Sequence, residues 1–151
     1  MKLCSICRTS EILCSGCRKK LDTGHITQTE IEVSRALAKV IEDADFLKAV
    51  EHKNQIILLC DTGKARFLIG RAGKNVRELS RLVGKDVRII EKADEKTMIE
   101  NILGSPVVGI NIVYGGIETK RIRVDSNYRR LRGDAELLEK LLENKYEILF
   151  E

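Results

Sequence analysis

Twice in succession the sequence runs through helix, strand, strand, helix and strand, with a repeat of about sixty residues. That order limits the chain to two small α+β units. In the first round, Thr27 and Glu30 form a capping box, and Val33, Leu37, Val40, Ile41 and Ala44 recur at helical spacing. A strand is expected from near Phe46 to Val50. The apolar run Ile56 to Cys60 reads as a strand buried on both faces, closed by the turn Asp61-Thr62-Gly63. A short helical turn over Ala65 to Ile69 follows, then Gly70-Arg71-Ala72-Gly73, then a helix opening at Lys74. Its stripe is Val76, Leu79, Leu82 and Val83, and Gly84 ends it. Val87 to Ile90 is the third strand. In the second round a helix over Asp94 to Leu103 stops at Gly104-Ser105-Pro106. Strands over Val107 to Tyr114 and Ile117 to Val124 flank Gly115-Gly116. A helix carries Leu137, Leu138, Leu141 and Leu142, and Tyr146, Ile148 and Phe150 mark the last strand.

The chemistry concentrates in the first round. Two glycines flank Arg71 and Ala72 between an apolar turn and a helix. Glycine leaves no side chain between backbone and ligand, and a helix N-terminus presents free N–H groups to an anion. Arg71, Lys74 and Arg77 add positive charge there. Lys64, Arg66, Arg81, Lys85, Arg88 and Lys92 extend it, opposed by Glu78, Asp86 and Glu91. At helical spacing Lys74, Arg77, Arg81 and Lys85 share one side. The net charge of +4 permits a polyanionic partner without demanding one.

The stretch Leu68-Ile69-Gly70-Arg71-Ala72-Gly73-Lys74-Asn75-Val76-Arg77 resembles the signature of type II KH domains, and more narrowly the KH modules of archaeal NusA-like proteins. Asp94 to Leu103 followed by Ser105-Pro106 is similar to the joint between the two KH units of those proteins, so the resemblance covers most of Ile26 to Glu151. It implies an RNA clamp built from Ile69, Gly70, Arg71, Ala72, Gly73, Lys74, Asn75 and Arg77, with bases resting in an aliphatic groove near Ile69 and Val76. It also implies a cytoplasmic, archaeal setting in transcription elongation or termination, with RNA polymerase as a partner. Ribosome assembly or translation, with ribosomal components as partners, is the alternative. The second unit departs from the pattern. Tyr128-Arg129-Arg130-Leu131-Arg132-Gly133-Asp134-Ala135-Glu136 keeps one glycine, and Asp134 and Glu136 place negative charge where a phosphate would lie. Lys120, Arg121 and Arg123, with Arg129, Arg130 and Arg132, remain candidates for nonspecific backbone contact.

The other departure is the N-terminal segment, which short archaeal NusA-like proteins usually lack. Cys4-Ser5-Ile6-Cys7 and Cys14-Ser15-Gly16-Cys17 offer four thiolates to one tetrahedral Zn²⁺. The segment's apolar residues are too few for a core, so the metal is expected to be structural, and closed coordination leaves no open position for catalysis. Arg8, Arg18, Lys19 and Lys20 would suit phosphates, and a protein-docking role fits equally.

The organisation is therefore α+β: a four-cysteine zinc-binding unit over 1–25, a KH unit with an intact loop over 26–93, and a degenerate KH-like unit over 94–151. Cys60 reads as a buried thiol. His25 and His52 are isolated. Asp61-Thr62-Gly63-Lys64 lacks the leading glycine and following hydroxyl of a phosphate-binding Walker loop, and no nucleophile elbow is present. A non-enzymatic protein with no small-molecule substrate is expected. Aromatic residues make up 4%, which argues against base stacking on aromatic platforms. The absence of a signal segment and of a membrane-length apolar run points to a soluble cytoplasmic chain. The principal partner expected is single-stranded RNA. The rivals are single-stranded DNA and a zinc-dependent adaptor that docks protein and uses the KH fold as scaffold.

Overall fold

The computed structural model describes residues 2–41, 44–125 and 131–151. The chain divides into two compact units, Met1–Glu91 and Lys92–Glu151. The fold is mixed α+β with two three-stranded sheets. No helix among the described residues is long and apolar enough to cross a membrane.

The first unit opens with the cysteine segment and a helix, α1 (Ser15–Asp22), which the sequence pattern did not announce. Next come α2 (Gln28–Val40), β1 (Lys48–His52), β2 (Gln55–Cys60), α3 (Ala65–Ile69), a 3-10 turn over Arg71–Gly73, α4 (Lys74–Val83) and β3 (Asp86–Glu91). The Thr27–Glu30 capping box is formed in both directions. α2 ends sooner than its apolar spacing suggests: Ile41 is extended, although Ile41 and Ala44 still reach the core. The first strand begins at Lys48 rather than Phe46 and runs on to His52, where Lys53 and Asn54, both at positive φ (48° and 64°), set a tight turn that pairs His52 with Gln55.

β2 is the centre of this sheet. It runs antiparallel to β1 and parallel to β3. Ile56, Leu58 and Cys60 point into a core completed by Val33 and Leu37 of α2 and Leu79 of α4. A parallel pair cannot close through a tight turn and needs a crossover. Here the crossover is α3, the glycine loop and α4. Ser80 secures it by donating to the Val76 carbonyl (2.8 Å) and accepting the N–H of Val87 (3.1 Å).

The second unit holds α5 (Glu95–Leu103), β4 (Val107–Val113), β5 (Thr119–Val124), α6 (Ala135–Leu142) and β6 (Tyr146–Phe150). Asp94 caps α5, and Gly104, in the left-handed conformation, ends it. β5 is again central, antiparallel to β4 and parallel to β6. The connection from β4 to β5 spans residues 114–118, longer than the two-residue turn that Gly115-Gly116 suggests.

Glu30 ties the N-terminal segment to the first sheet. Its side chain is 5% exposed. Oε1 accepts the N–H of Thr27 (3.1 Å), while Oε2 accepts the N–H of Ala49 in β1 (3.3 Å) and meets Nζ of Lys2 (3.3 Å). A buried carboxylate is tolerated because each oxygen has a partner. Replacing Glu30 with Ala leaves the Ala49 N–H and the Lys2 ammonium without this acceptor. We expect a loss of about 3 kcal/mol, read from the shift of the urea unfolding midpoint.

Candidate nucleic-acid interface

The loop geometry follows from its glycines. Gly70 has φ 78° and ψ 171°, a region that essentially only glycine occupies. A Cβ on Gly70 would lie 2.7 Å from the Asn75 side chain and 2.9 Å from the Asn75 nitrogen. That close approach lets Asn75 reach under the loop and donate from Nδ2 to the Phe67 carbonyl (3.1 Å). Ala72 is left-handed (φ 55°, ψ 27°), as is Gly73 (φ 74°, ψ 17°). Within the loop, Gly73 N–H donates to the Gly70 carbonyl (3.1 Å) and Lys74 N–H to the Arg71 carbonyl. Among the described residues, the N–H groups of Arg71 and Ala72 have no backbone acceptor. They lie just before the N-terminus of α4, where the helix dipole favours an anion. α3 has no capping side chain of its own. Glu91 at the end of β3 supplies one by accepting the N–H of Gly63 (2.7 Å) and of Ala65 (3.5 Å).

The structure divides the basic stripe. Arg71, Lys74 and Arg77 are exposed and have no ion-pair partner among the described residues. Arg81 instead binds Glu78, which holds the Glu78 carboxyl below its usual range, chiefly through that hydrogen bond. Lys85 pairs with Glu51 of β1. The unpaired charge therefore gathers at the loop end of α4. Ile69 and Val76, expected to line a groove, are both partly buried beside the loop.

Among its described residues, the second unit has no equivalent arrangement. Tyr128, Arg129 and Arg130 lie outside the described residues. Asp134 caps α6 by accepting the Leu137 N–H (3.0 Å), so this carboxylate already holds the position a phosphate would take. The basic strand is also engaged: Lys120 meets Glu95 (2.6 Å), Arg121 meets Glu147 (2.7 Å) and Arg123 meets Glu151 (3.3 Å).

In the first unit, the sulfur atoms of Cys4, Cys7, Cys14 and Cys17 all lie within 4.8 Å of one another, and all four are free thiols. Bonds of about 2.3 Å to a tetrahedral zinc would set sulfurs about 3.8 Å apart. Cys4 and Cys14 are 4.0 Å apart. Backbone N–H groups point at the sulfurs: Cys7 at Cys4 (3.4 Å), Cys14 at Cys7 (3.2 Å) and Cys17 at Cys14 (3.4 Å). The Cys7 N–H brings Cys4 down to about 6, and the Cys17 N–H likewise lowers Cys14. At Cys7 the Cys14 N–H favours the thiolate, but burial and the neighbouring sulfurs push it up to about 12. Without a cation, the four sulfurs cannot all ionise together. The donor set fits a metal ion in a small zinc-binding unit, with Leu3, Cys7, Cys17, Ile26 and Ile31 forming its apolar backing. Arg8, grouped by sequence with phosphate-binding residues, is instead 8% exposed and donates to the Ala44 carbonyl (2.6 Å). Arg18, Lys19 and Lys20 on α1 remain exposed.

Two measurements follow from these geometries. Gly70→Ala should destabilise the first unit by about 3 kcal/mol, because strain and a clash coincide. Gly73→Ala, whose Cβ would meet nothing closer than 3.8 Å, should cost about 1 kcal/mol. Equal unfolding midpoints for the two variants would contradict the role given to Asn75. Elemental analysis should find one metal ion per chain in the purified protein and none in Cys7→Ser/Cys17→Ser.

The family model described as KH domain matches residues 32–125, more than half of the chain. The match starts inside α2 and ends just after β5, leaving the cysteine segment outside it. No curated protein matches the chain. Among solved structures, the crystal structure of APE1850 is similar in fold, with 18% identity, a TM-score of 0.67, and coverage of 83% of this chain and 100% of that one. A glycine loop at a helix N-terminus, set in a crossover between parallel strands, agrees with the family match, and the chain belongs to the KH domain family.

Proposed function

We propose that this chain is a non-enzymatic, cytoplasmic protein that grips a short run of single-stranded RNA backbone at Gly70 to Lys74. We further propose that it serves as a NusA-like factor in transcription elongation or termination, with RNA polymerase as its larger partner and a structural zinc ion on Cys4, Cys7, Cys14 and Cys17. One observation carries the RNA reading. Among the described residues, the Arg71 and Ala72 N–H groups lack backbone acceptors at a helix N-terminus, beside three cations without ion-pair partners, Arg71, Lys74 and Arg77. KH membership supports nucleic-acid binding in general, and RNA in particular. The transcription role rests on the NusA-like sequence flanking the loop. Zinc is favoured over other metals by the all-thiolate donor set and its spacing.

With Asp134 capping α6, the loop of the first unit is the clamp, and affinity for isolated RNA should be modest and salt-dependent. Neutralising about three phosphates on a single strand gives a slope of about −2 in log affinity against log salt. Arg71→Asp/Ala72→Asp should lower single-stranded RNA affinity by at least about tenfold while leaving the fold intact, since aspartate accepts the left-handed conformation at 72 better than most residues. Unchanged affinity in a folded variant would overturn the clamp. Negligible affinity in the unmodified protein, with a protein partner lost on Cys14→Ser, would instead favour the adaptor.

A further inference from the structure

Beside the loop lies a pocket of about 260 Å³ that the aliphatic groove does not account for. Phe67 and Ile69 are two residues apart on α3, so their side chains diverge by about 200°. The pocket is therefore on the other side of this helix from Ile69. Its lining includes buried Phe46 and Leu68, together with Leu47 and Phe67, which are 40% and 56% exposed. Asp45, Asp61 and Lys64 also contribute to it.

We infer that this pocket receives a nucleobase of the same RNA strand whose backbone lies on the Arg71–Ala72 loop. This inference rests on the clamp reading above. Four observations select a base as the occupant. Large-ligand pockets run from roughly 300 Å³ upward, so this volume suits a single small planar group. An exposed aromatic side chain beside an aliphatic one offers flat apolar surface on which any base can stack. The two carboxylates oppose a phosphate inside but accept N–H donors from a base edge. Asp61 uses Oδ1 for the Thr62 N–H (2.8 Å), and its other oxygen has no partner among the described residues, so it favours a base with an exocyclic amino group. Lys64 and the neighbouring Arg66 are exposed cations suited to the accompanying phosphate.

Continuity with the clamp completes the assignment. Phe67 precedes Gly70 by three residues, about 4.5 Å along the helix axis. The Asn75 amide is bonded to the Phe67 carbonyl itself, so loop and pocket wall are held as one piece. A strand seated on the loop thus has an adjacent nucleotide within reach of Phe67.

The test compares a four-nucleotide RNA with the same RNA extended by two nucleotides at either end, titrated against the full-length protein. Extension at one end should raise affinity on the order of tenfold. Phe67→Ala should remove that gain and leave the four-nucleotide RNA unaffected. An extension lacking its bases should give no gain, and 2-aminopurine placed there should be quenched by the unmodified protein but not by Phe67→Ala. If extension adds nothing, if the base-free extension gains equally, or if Phe67→Ala keeps the gain, the pocket does not hold a base. Arg71→Asp/Ala72→Asp should lose both RNAs. If it binds them normally, the clamp reading fails, whereas its loss beside an unaffected Phe67→Ala overturns the pocket alone.

Discussion

The parallel pairing of β2 with β3 is the constraint on which the first unit turns. Parallel neighbours need a crossover that leaves one end of the sheet and returns to the other. In this chain the crossover is broken into α3 and α4, and the break is the glycine loop. The site is therefore a product of the connection rather than an addition to a finished fold. Its supports come from the elements it joins: Ser80 binds α4 to β3, Glu91 caps the start of α3, and Asn75 holds the loop against Phe67.

The second unit obeys the same constraint with a different result. β5 and β6 are also parallel, and α6 lies in their crossover. There Asp134 supplies the acceptor for the helix N-terminus from within the chain. The two units thus share a topological solution and differ at the helix end: α4 starts at Gly73 with no capping side chain, whereas α6 is capped by Asp134. The salt-paired basic strand β5 belongs to the same pattern of internal satisfaction.

The element order and most helix ends were legible in the sequence, because they depend on neighbours a few residues apart. The Thr27–Glu30 box, Gly84 and Gly104 all act locally. The loop was legible for the same reason. What escaped depends on partners far along the chain. Lys85 looked like part of a basic stripe, but Glu51 lies 34 residues away. Arg8 looked like a phosphate ligand, but its acceptor is Ala44, 36 residues on. Phe67 gave no sign of exposure because α3 has only five residues, too few for periodicity to assign a face. Low aromatic content argued against stacking in general, yet it says nothing about where one phenylalanine sits.

The left-handed backbone at Ala72 carries a consequence of its own. Any residue type placed at this position is filtered first by conformation and only then by its side-chain chemistry. Glycine, asparagine and aspartate pass the conformational filter readily, while branched side chains such as valine and isoleucine do not. Alanine is a compromise: it accepts some strain and adds almost no bulk over the neighbouring N–H groups. The middle of the loop is thus a position where side-chain chemistry cannot be varied freely, whereas Arg71, whose φ is not positive, carries no such restriction.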